Sequence, residues 1–295
     1  MLHTRRHMLK TAAFAAAIPL AGASTFAADA AKELIGPATA PTSGKDPWKG
    51  LKFGVASYSF RKIPLADTIA AIKRLDLHYV SIKDTHLPLD STTAQRKEVA
   101  QQFRDAGINP ISCGVISMKD EASARHAFEY ARDIDVPTIV AFPELAVLPA
   151  LDKLVKEFNI KIAIHNHGPE ATHFKSPLEA FAAVQPFDAR LGLCIDVGHT
   201  ARAGVNPPDA MRKCKERFYD CHFKDIVSVN AKNAGTAETE IGRGVLDIKG
   251  MLEALLEVKY AGHVGFEHEK TAENPLPGLA ESMGFTKGVM SCLGA

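Results

Sequence analysis

The chain has 295 residues, of which 46% are hydrophobic, with 35 basic and 34 acidic side chains and a formal net charge of +1. A chain so near neutrality has no electrostatic reason to hold nucleic acid. Cys113, Cys194, Cys214, Cys221 and Cys292 are odd in number and lack Cys-x-x-Cys spacing, which excludes a disulfide framework and reads as buried thiols.

Residues 1–30 stand apart from the rest. Arg5-Arg6 precedes an alanine-rich apolar stretch over 11–27, and Ala28-Asp29-Ala30 follows as a small-residue cleavage site. This is the pattern of a twin-arginine signal peptide and predicts a periplasmic protein, folded before export. A spanning helix needs about 20 apolar residues. This stretch is shorter and is broken by Pro19 and Gly22, so cleavage is expected rather than a stable membrane anchor. Cleavage leaves 32 basic against 33 acidic residues, near −1. Residues 31–50, with Pro37, Pro41, Gly44 and Pro47, predict an extended leader. Residues 51–295 have the length of one (β/α)8 TIM barrel, an α/β fold in a single domain.

Eight strand-then-helix units follow in order. Strand Leu51–Phe60 is followed by helical spacing over Leu65–Leu77, and strand His78–Asp84 by a helix opened by a Thr92 cap and closed by Gly107. Pro110–Ser117 with Glu121–Ile134 makes the third unit, and Pro137–Glu144 with Leu148–Asn159 the fourth. The later units are Ile160–His167 with Ser176–Gln185, Leu191–His199 with Pro207–Arg217, Phe218–Asp225 with Ile248–Val258, and His263–Glu269 with a helix near Pro277–Met290. An open doubly wound sheet would carry a glycine-rich phosphate turn after its first strand, and none follows Phe60.

Active sites of parallel barrels lie at the carboxyl ends of the strands. His165, Asp196, His222 and Glu267 each follow an apolar run in units five to eight. Any one alone reads as a hydrogen-bonding partner for a loop. Four in adjacent units would be expensive in a dry barrel mouth unless a cation compensated them, so they form a candidate site for one divalent ion. Mixed nitrogen and oxygen donors with no thiolate suit Mn2+, Mg2+, Co2+, Fe2+ or Zn2+ with open positions for a hydroxyl beside a carbonyl. Such an ion acidifies the neighbouring C–H and stabilises an enediolate.

The series Ile164-His165-Asn166-His167-Gly168, Asp196-Val197-Gly198-His199, Asp220-Cys221-His222-Phe223-Lys224-Asp225 and Phe266-Glu267-His268-Glu269 resembles the xylose isomerase-like (sugar phosphate isomerase/epimerase) TIM-barrel superfamily over nearly the whole mature chain. The resemblance implies one ion held by Glu, Asp, His and Glu, matching Asp196, His222 and Glu267, with His199 as a companion histidine. It also implies a small carbohydrate as partner and, as in many relatives, a homo-oligomer, although the sequence carries no interface signature. His165 stands where the family places its first Glu, which in the epimerases is both ligand and one of two opposed bases. Imidazole replaces it as a ligand and leaves the site one base short.

Glu144, His167, Glu170 and Lys224 are the nearby replacements. His167 and Lys224 are preferred because each lies two residues beyond a proposed ligand on the same side of its strand; the alternatives are hydrogen bonding to the ligands and a surface ion pair. Lys83, His86, His199, Arg202 and Arg243 are expected to hold substrate, although Lys83 or Arg243 would equally form a salt bridge with Asp84 or Glu240. Glu269 shares a face with Glu267 and competes with it as a ligand. The loop from Ile226 to Val245 reads as a lid or as a tolerated insertion.

Three activities fit: a metal-dependent sugar isomerase or epimerase, a lyase acting on a 3-keto-glycoside for which one base suffices, or a non-catalytic metal-containing sugar-binding barrel.

Overall fold

The computed structural model describes residues 46–231 and 237–294; the twin-arginine segment and leader residues 31–45 lie outside the described residues. In chain order the strands are β1 (Lys52–Ala56), β2 (Tyr79–Ile82), β3 (Asn109–Met118), β4 (Thr138–Pro143), β5 (Lys161–His165), β6 (Leu191–Asp196), β7 (Phe218–Phe223), a short ribbon of β8 (Asp225–Ile226) and β9 (Glu238–Thr239), and β10 (His263–Phe266). Eight of them close into one parallel barrel in the order β1-β10-β7-β6-β5-β4-β3-β2, while β8 and β9 pair antiparallel outside it. This is the single TIM barrel that the eight alternating units predict.

The connecting helices are α1 (Leu65–Arg74), α2 (Thr93–Asp105), α3 (Glu121–Asp133), α4 (Leu148–Phe158), α5 (Pro177–Val184), α6 (Val197–Arg202), α7 (Pro207–Lys213), α8 (Ile248–Glu257) and α9 (Leu276–Cys292). Their ends are written in the local sequence. Thr92 and Gln95 form a reciprocal capping box at α2, and Asp120 and Ser123 form another at α3. Gly107 beyond α2 has φ +78°, a left-handed value that costs glycine nothing. No described helix is long and apolar enough to cross a membrane.

Strand alternation divides the barrel side chains into two layers. Phe53, Phe223 and Phe266 point outward, touching one another with ring centroids 5.3–6.3 Å apart, and join the apolar layer beneath the helices. Burying each contributes about 1.5–3 kcal/mol. The residues between them in sequence, Asp220 and His222 on β7 and His263 on β10, point into the barrel. Cys113, Cys194, Cys214 and Cys221 are buried free thiols and Cys292 is an exposed one.

Three local differences from the sequence reading have physical causes. Ser57–Phe60 continues β1 as a 3-10 turn, not as strand. Val197–His199 begins α6 because the Asp196 side chain caps the backbone N–H of His199 at 2.8 Å. Residues 46–50 form a turn closed by Asp46, which accepts the backbone N–H of Trp48 at 2.9 Å, and Trp48 stacks on Phe53 at 4.2 Å.

Candidate active site

Register brings four strand ends together. Asp196 at the end of β6 pairs directly with His222 on β7, Phe266 pairs with Phe223, and Glu267 donates its backbone N–H to Phe223 O at 3.2 Å. His165 ends β5 alongside Cys194, two residues before Asp196. The side chains of His165, Asp196, His222 and Glu267 converge so that one donor atom from each lies within 4.8 Å of all the others, and all four are buried.

Individual separations are those of a ligand cage. His165 Nε2 is 3.0 Å from His222 Nδ1 and 3.4 Å from Asp196 Oδ2; His222 Nδ1 is 3.0 Å from Glu267 Oε2 and 4.0 Å from Asp196 Oδ2. Bonds of about 2.0–2.1 Å to a tetrahedral ion put its ligands about 3.4 Å apart, so the donors fit. Asp196 divides its oxygens: Oδ1 caps α6, while Oδ2 has no partner in hydrogen-bond geometry although the Lys224 ammonium lies 3.0 Å away. A buried carboxylate oxygen left in this way is what a cation would satisfy.

Supporting groups fix the cage. Asn166 accepts the Asp196 backbone N–H at 3.0 Å and donates to Thr200 Oγ1 at 3.1 Å, tying the ends of β5 and β6. Lys224 Nζ lies 2.6 Å from Glu267 Oε2 and 2.9 Å from Glu269 Oε1. Burial opposes the charge on Lys224, yet Asp196, Glu267 and Glu269 hold its pKa well above the usual lysine value. Burial likewise opposes the Asp196 carboxylate, and Lys224, His199 and His165 overcome it, holding its pKa well down. The Glu267 pKa is lowered in the same way, against burial, by His222 and Lys224. Burial and the neighbouring His167 push His165 well below the ordinary imidazole value, while Glu267 outweighs burial and raises His222.

The tautomers follow from the donor set. His165 can present a lone pair at Nε2 only with its proton on Nδ1, which lies 3.4 Å from His167 Nδ1. With His165 Nε2 turned to a cation in this way, His167 would accept at Nδ1 and carry its own proton on Nε2. Burial and His199 push the His167 pKa down to about 4, so it stays neutral and is a hydrogen-bond donor at the cavity.

A cavity of about 270 Å³ opens over the cage, lined by Tyr58, Lys83, Val115, His167, His199 and Glu269 together with His165 and Glu267. Lys83 faces it while donating to Val115 O at 2.6 Å and pairing with Asp84 at 3.2 Å. His86, expected to hold substrate, is buried with Ser57 Oγ and Thr68 Oγ1 each at 3.1 Å, and neither it nor Arg202 is among the residues lining this cavity. Arg202 is buried against Glu170, with His199 Nδ1 at 3.3 Å. Arg243 is exposed, pairs with Glu281 and lies outside the cavity lining; Glu240 pairs instead with Lys270 at 2.8 Å. Glu144 is exposed ahead of α4 and also stands outside the lining.

Sequence reasoning did not reach Asn166, Tyr58 or Glu238. Glu238, on β9, accepts the Glu269 backbone N–H at 2.7 Å and faces His268 Nδ1 at 3.3 Å, so the 226–245 loop orders the segment that carries Glu267 and Glu269. Its polar setting, Thr236-Ala237-Glu238-Thr239-Glu240, gave no signal, because the contact with His268 is made across 30 residues of chain.

A family model described as xylose isomerase-like TIM barrel matches residues 69–289. Among solved structures, the IolI protein with a bound zinc atom superposes with a TM-score of 0.68 at 17% identity, over 83% of this chain and 100% of its own. The probable 3-DHS dehydratase AsbF of Bacillus anthracis gives 0.65 at 14% identity over 79% and 98% of the two chains. An L-ribulose 3-epimerase gives 0.64 at 15% identity over 82% and 95%. These likenesses establish a shared fold. No match to a curated protein sequence was found.

Proposed function

The chain belongs to the xylose isomerase-like TIM-barrel family, and from that premise we propose that it is a metal-dependent enzyme removing a proton next to a carbonyl of a small carbohydrate. The observation that carries this reading is the convergence of His165, Asp196, His222 and Glu267 below a polar cavity. These four side chains would hold one divalent ion. Such an ion supplies Lewis acidity to adjacent substrate oxygens. The zinc named for the IolI structure and the epimerase and dehydratase chemistry named for the others support the class of reaction.

The remaining roles fall to the chain's own groups. Glu269 is the cavity-facing carboxylate outside the cage, held by Lys224 and by its own backbone bond to Glu238. It takes the C–H proton, and the bonding electrons move onto the carbonyl oxygen to give an enediolate. His167 Nε2–H and the Lys83 ammonium donate hydrogen bonds to substrate oxygens; His199 lines the same wall. Lys224, ringed by three carboxylates, stays charged and serves as a fixed counter-ion rather than as a base.

A second reading has its own support. With imidazole at His165, Glu267 and Glu269 are the only carboxylates among the described residues lining the cavity, and Glu267 belongs to the cage, whereas epimerisation through two bases requires a second free base. A single base suffices if the enediolate instead expels a β-substituent, as from a 3-keto-glycoside. The twin-arginine segment points the same way, because periplasmic proteins meet glycosides more than sugar phosphates.

Incubation of metal-loaded protein with free ketoses and with 3-keto-glycosides in D2O, followed by NMR, tests both readings. Deuterium at the carbon beside the carbonyl supports proton abstraction, and release of the aglycone identifies elimination. Binding without exchange or release would reduce the protein to a sugar-binding barrel.

A further inference from the structure

Arg202 is not among the residues lining the cavity over the cage, but it touches His199, which is. The two lie three residues apart on α6 and so share a face of that turn. The Arg202 side chain is 1% exposed, and each of its three nitrogens has a partner. Nε donates to Ala231 O at 3.1 Å, Nη2 to the Glu170 carboxylate, and Nη1 to His199 Nδ1 at 3.3 Å. Gly168 leaves room for this arrangement. Its φ of +82° is left-handed, and a Cβ there would stand 3.0 Å from His199 Nδ1 and 3.4 Å from Arg202 Nη1.

The guanidinium decides where the imidazole carries its proton. Arginine offers N–H donors only, accepts nothing and does not deprotonate in proteins, so His199 Nδ1 must be the acceptor. The ring is therefore neutral, with its one proton on Nε2. That nitrogen has no hydrogen-bond partner among the described residues and, unlike His222 Nε2, keeps accessible surface, on a ring that lines the cavity. Glu170 balances the arginine charge from a half-exposed position, so the pair is neutral as a whole and stays in place behind the histidine. An imidazole without such a partner exchanges between its two tautomers and turns about its side-chain bonds.

We propose that Arg202 is a positioning residue that locks His199 as a neutral Nε2–H donor to the substrate oxygen that gains charge as the enediolate forms. The functional half of this proposal rests on the reading of the cage given above; the tautomer does not. A donor aimed before the reaction stabilises developing negative charge without reorganising at that moment. His199 thus joins His167 and Lys83 as a donor, and Arg202 acts through it without touching substrate.

Long-range proton–nitrogen correlation NMR on the metal-free full chain, carrying isotope-labelled histidine, reads the tautomer directly, with His199→Gln identifying the signals. Wild type is expected to show a bare Nδ1 and a protonated Nε2 for His199. In Arg202→Met the two signals should move towards each other as the second tautomer becomes populated. The wild-type measurement stands even where the variant fails to fold. Exchange into D-fructose in D2O and aglycone release from a nitrophenyl 3-keto-glucoside should show a kcat about tenfold lower in Arg202→Met, with KM within about twofold of wild type. A smaller folded fraction would also lower kcat, but it would leave the tautomer of the folded chains unchanged. A protonated Nδ1 in wild type, unmoved signals in folded Arg202→Met, or moved signals with unchanged kcat would each overturn the proposal. No turnover of either sugar by wild type would count against the reading of the cage instead, and the tautomer measurement would still decide what Arg202 does.

Discussion

His165 Nε2 and His222 Nδ1 face each other at 3.0 Å across the mouth of the barrel, although their strands are separated by β6. Two imidazole nitrogens at this distance need either a shared proton or a shared cation. Asp196 Oδ2 and Glu267 Oε2 on either side supply the negative charge that a cation calls for.

Glu269→Gln should keep the cage and lose the base. Turnover should fall by about 10²–10⁴-fold, the usual contribution of a general base, with metal content unchanged. Steady-state kinetics alongside elemental analysis separates the two, and activity within a few fold of wild type would assign the base elsewhere.

Lys224→Met should destabilise the metal-free protein by about 3–5 kcal/mol, because it leaves buried carboxylates uncompensated. Added Mn2+ or Zn2+ should then raise the variant's melting temperature more than that of the wild type. Equal shifts in thermal denaturation would show that Lys224 and the ion do not balance the same oxygens.

Asp225→Ala should loosen the 226–245 loop without touching the cage. The Asp225 carboxylate accepts backbone N–H groups from Ile226 at 2.9 Å, Gly242 and Gly244 at 3.0 Å and Leu246 at 3.1 Å. Each such charge-assisted bond contributes about 1.5–3 kcal/mol. Limited proteolysis should cut the variant faster between residues 227 and 245, and an unchanged cleavage rate would mean that the loop is anchored by other contacts.

Asp133 predicts an acid dependence of stability. Burial opposes its carboxylate, but Arg132, Thr93 and Arg96 hold its pKa below the ordinary 3.8. The folded value is lower than the unfolded one, so the stabilisation is fully present above pH 3.8 and is lost as pH falls through the folded pKa. Urea denaturation of wild type and Asp133→Asn should therefore differ at pH 7 and converge as the pH falls below 3.8. A difference that does not shrink on acidification would contradict this role.

The barrel and the convergence at its mouth were legible because each depends on local pattern. Apolar runs ending in His165, Asp196, His222 and Glu267 state both strand and position, and the closed topology then brings the ends together. Lys224 was legible as a polar residue beside a ligand, but not as an ammonium ringed by three carboxylates, since that arrangement is set by three different strand ends. Glu269 read as a rival ligand. Its place outside the cage depends on how far the chain turns after Phe266 and on Glu238 reaching back from the loop.

The central claim is most directly tested by inductively coupled plasma mass spectrometry on purified wild type, His165→Ala and His222→Ala after loading with divalent ions and gel filtration. The account predicts about one ion per wild-type chain and a large loss in each variant. No retained ion in the wild type under any loading, or unchanged occupancy in both variants, would contradict it.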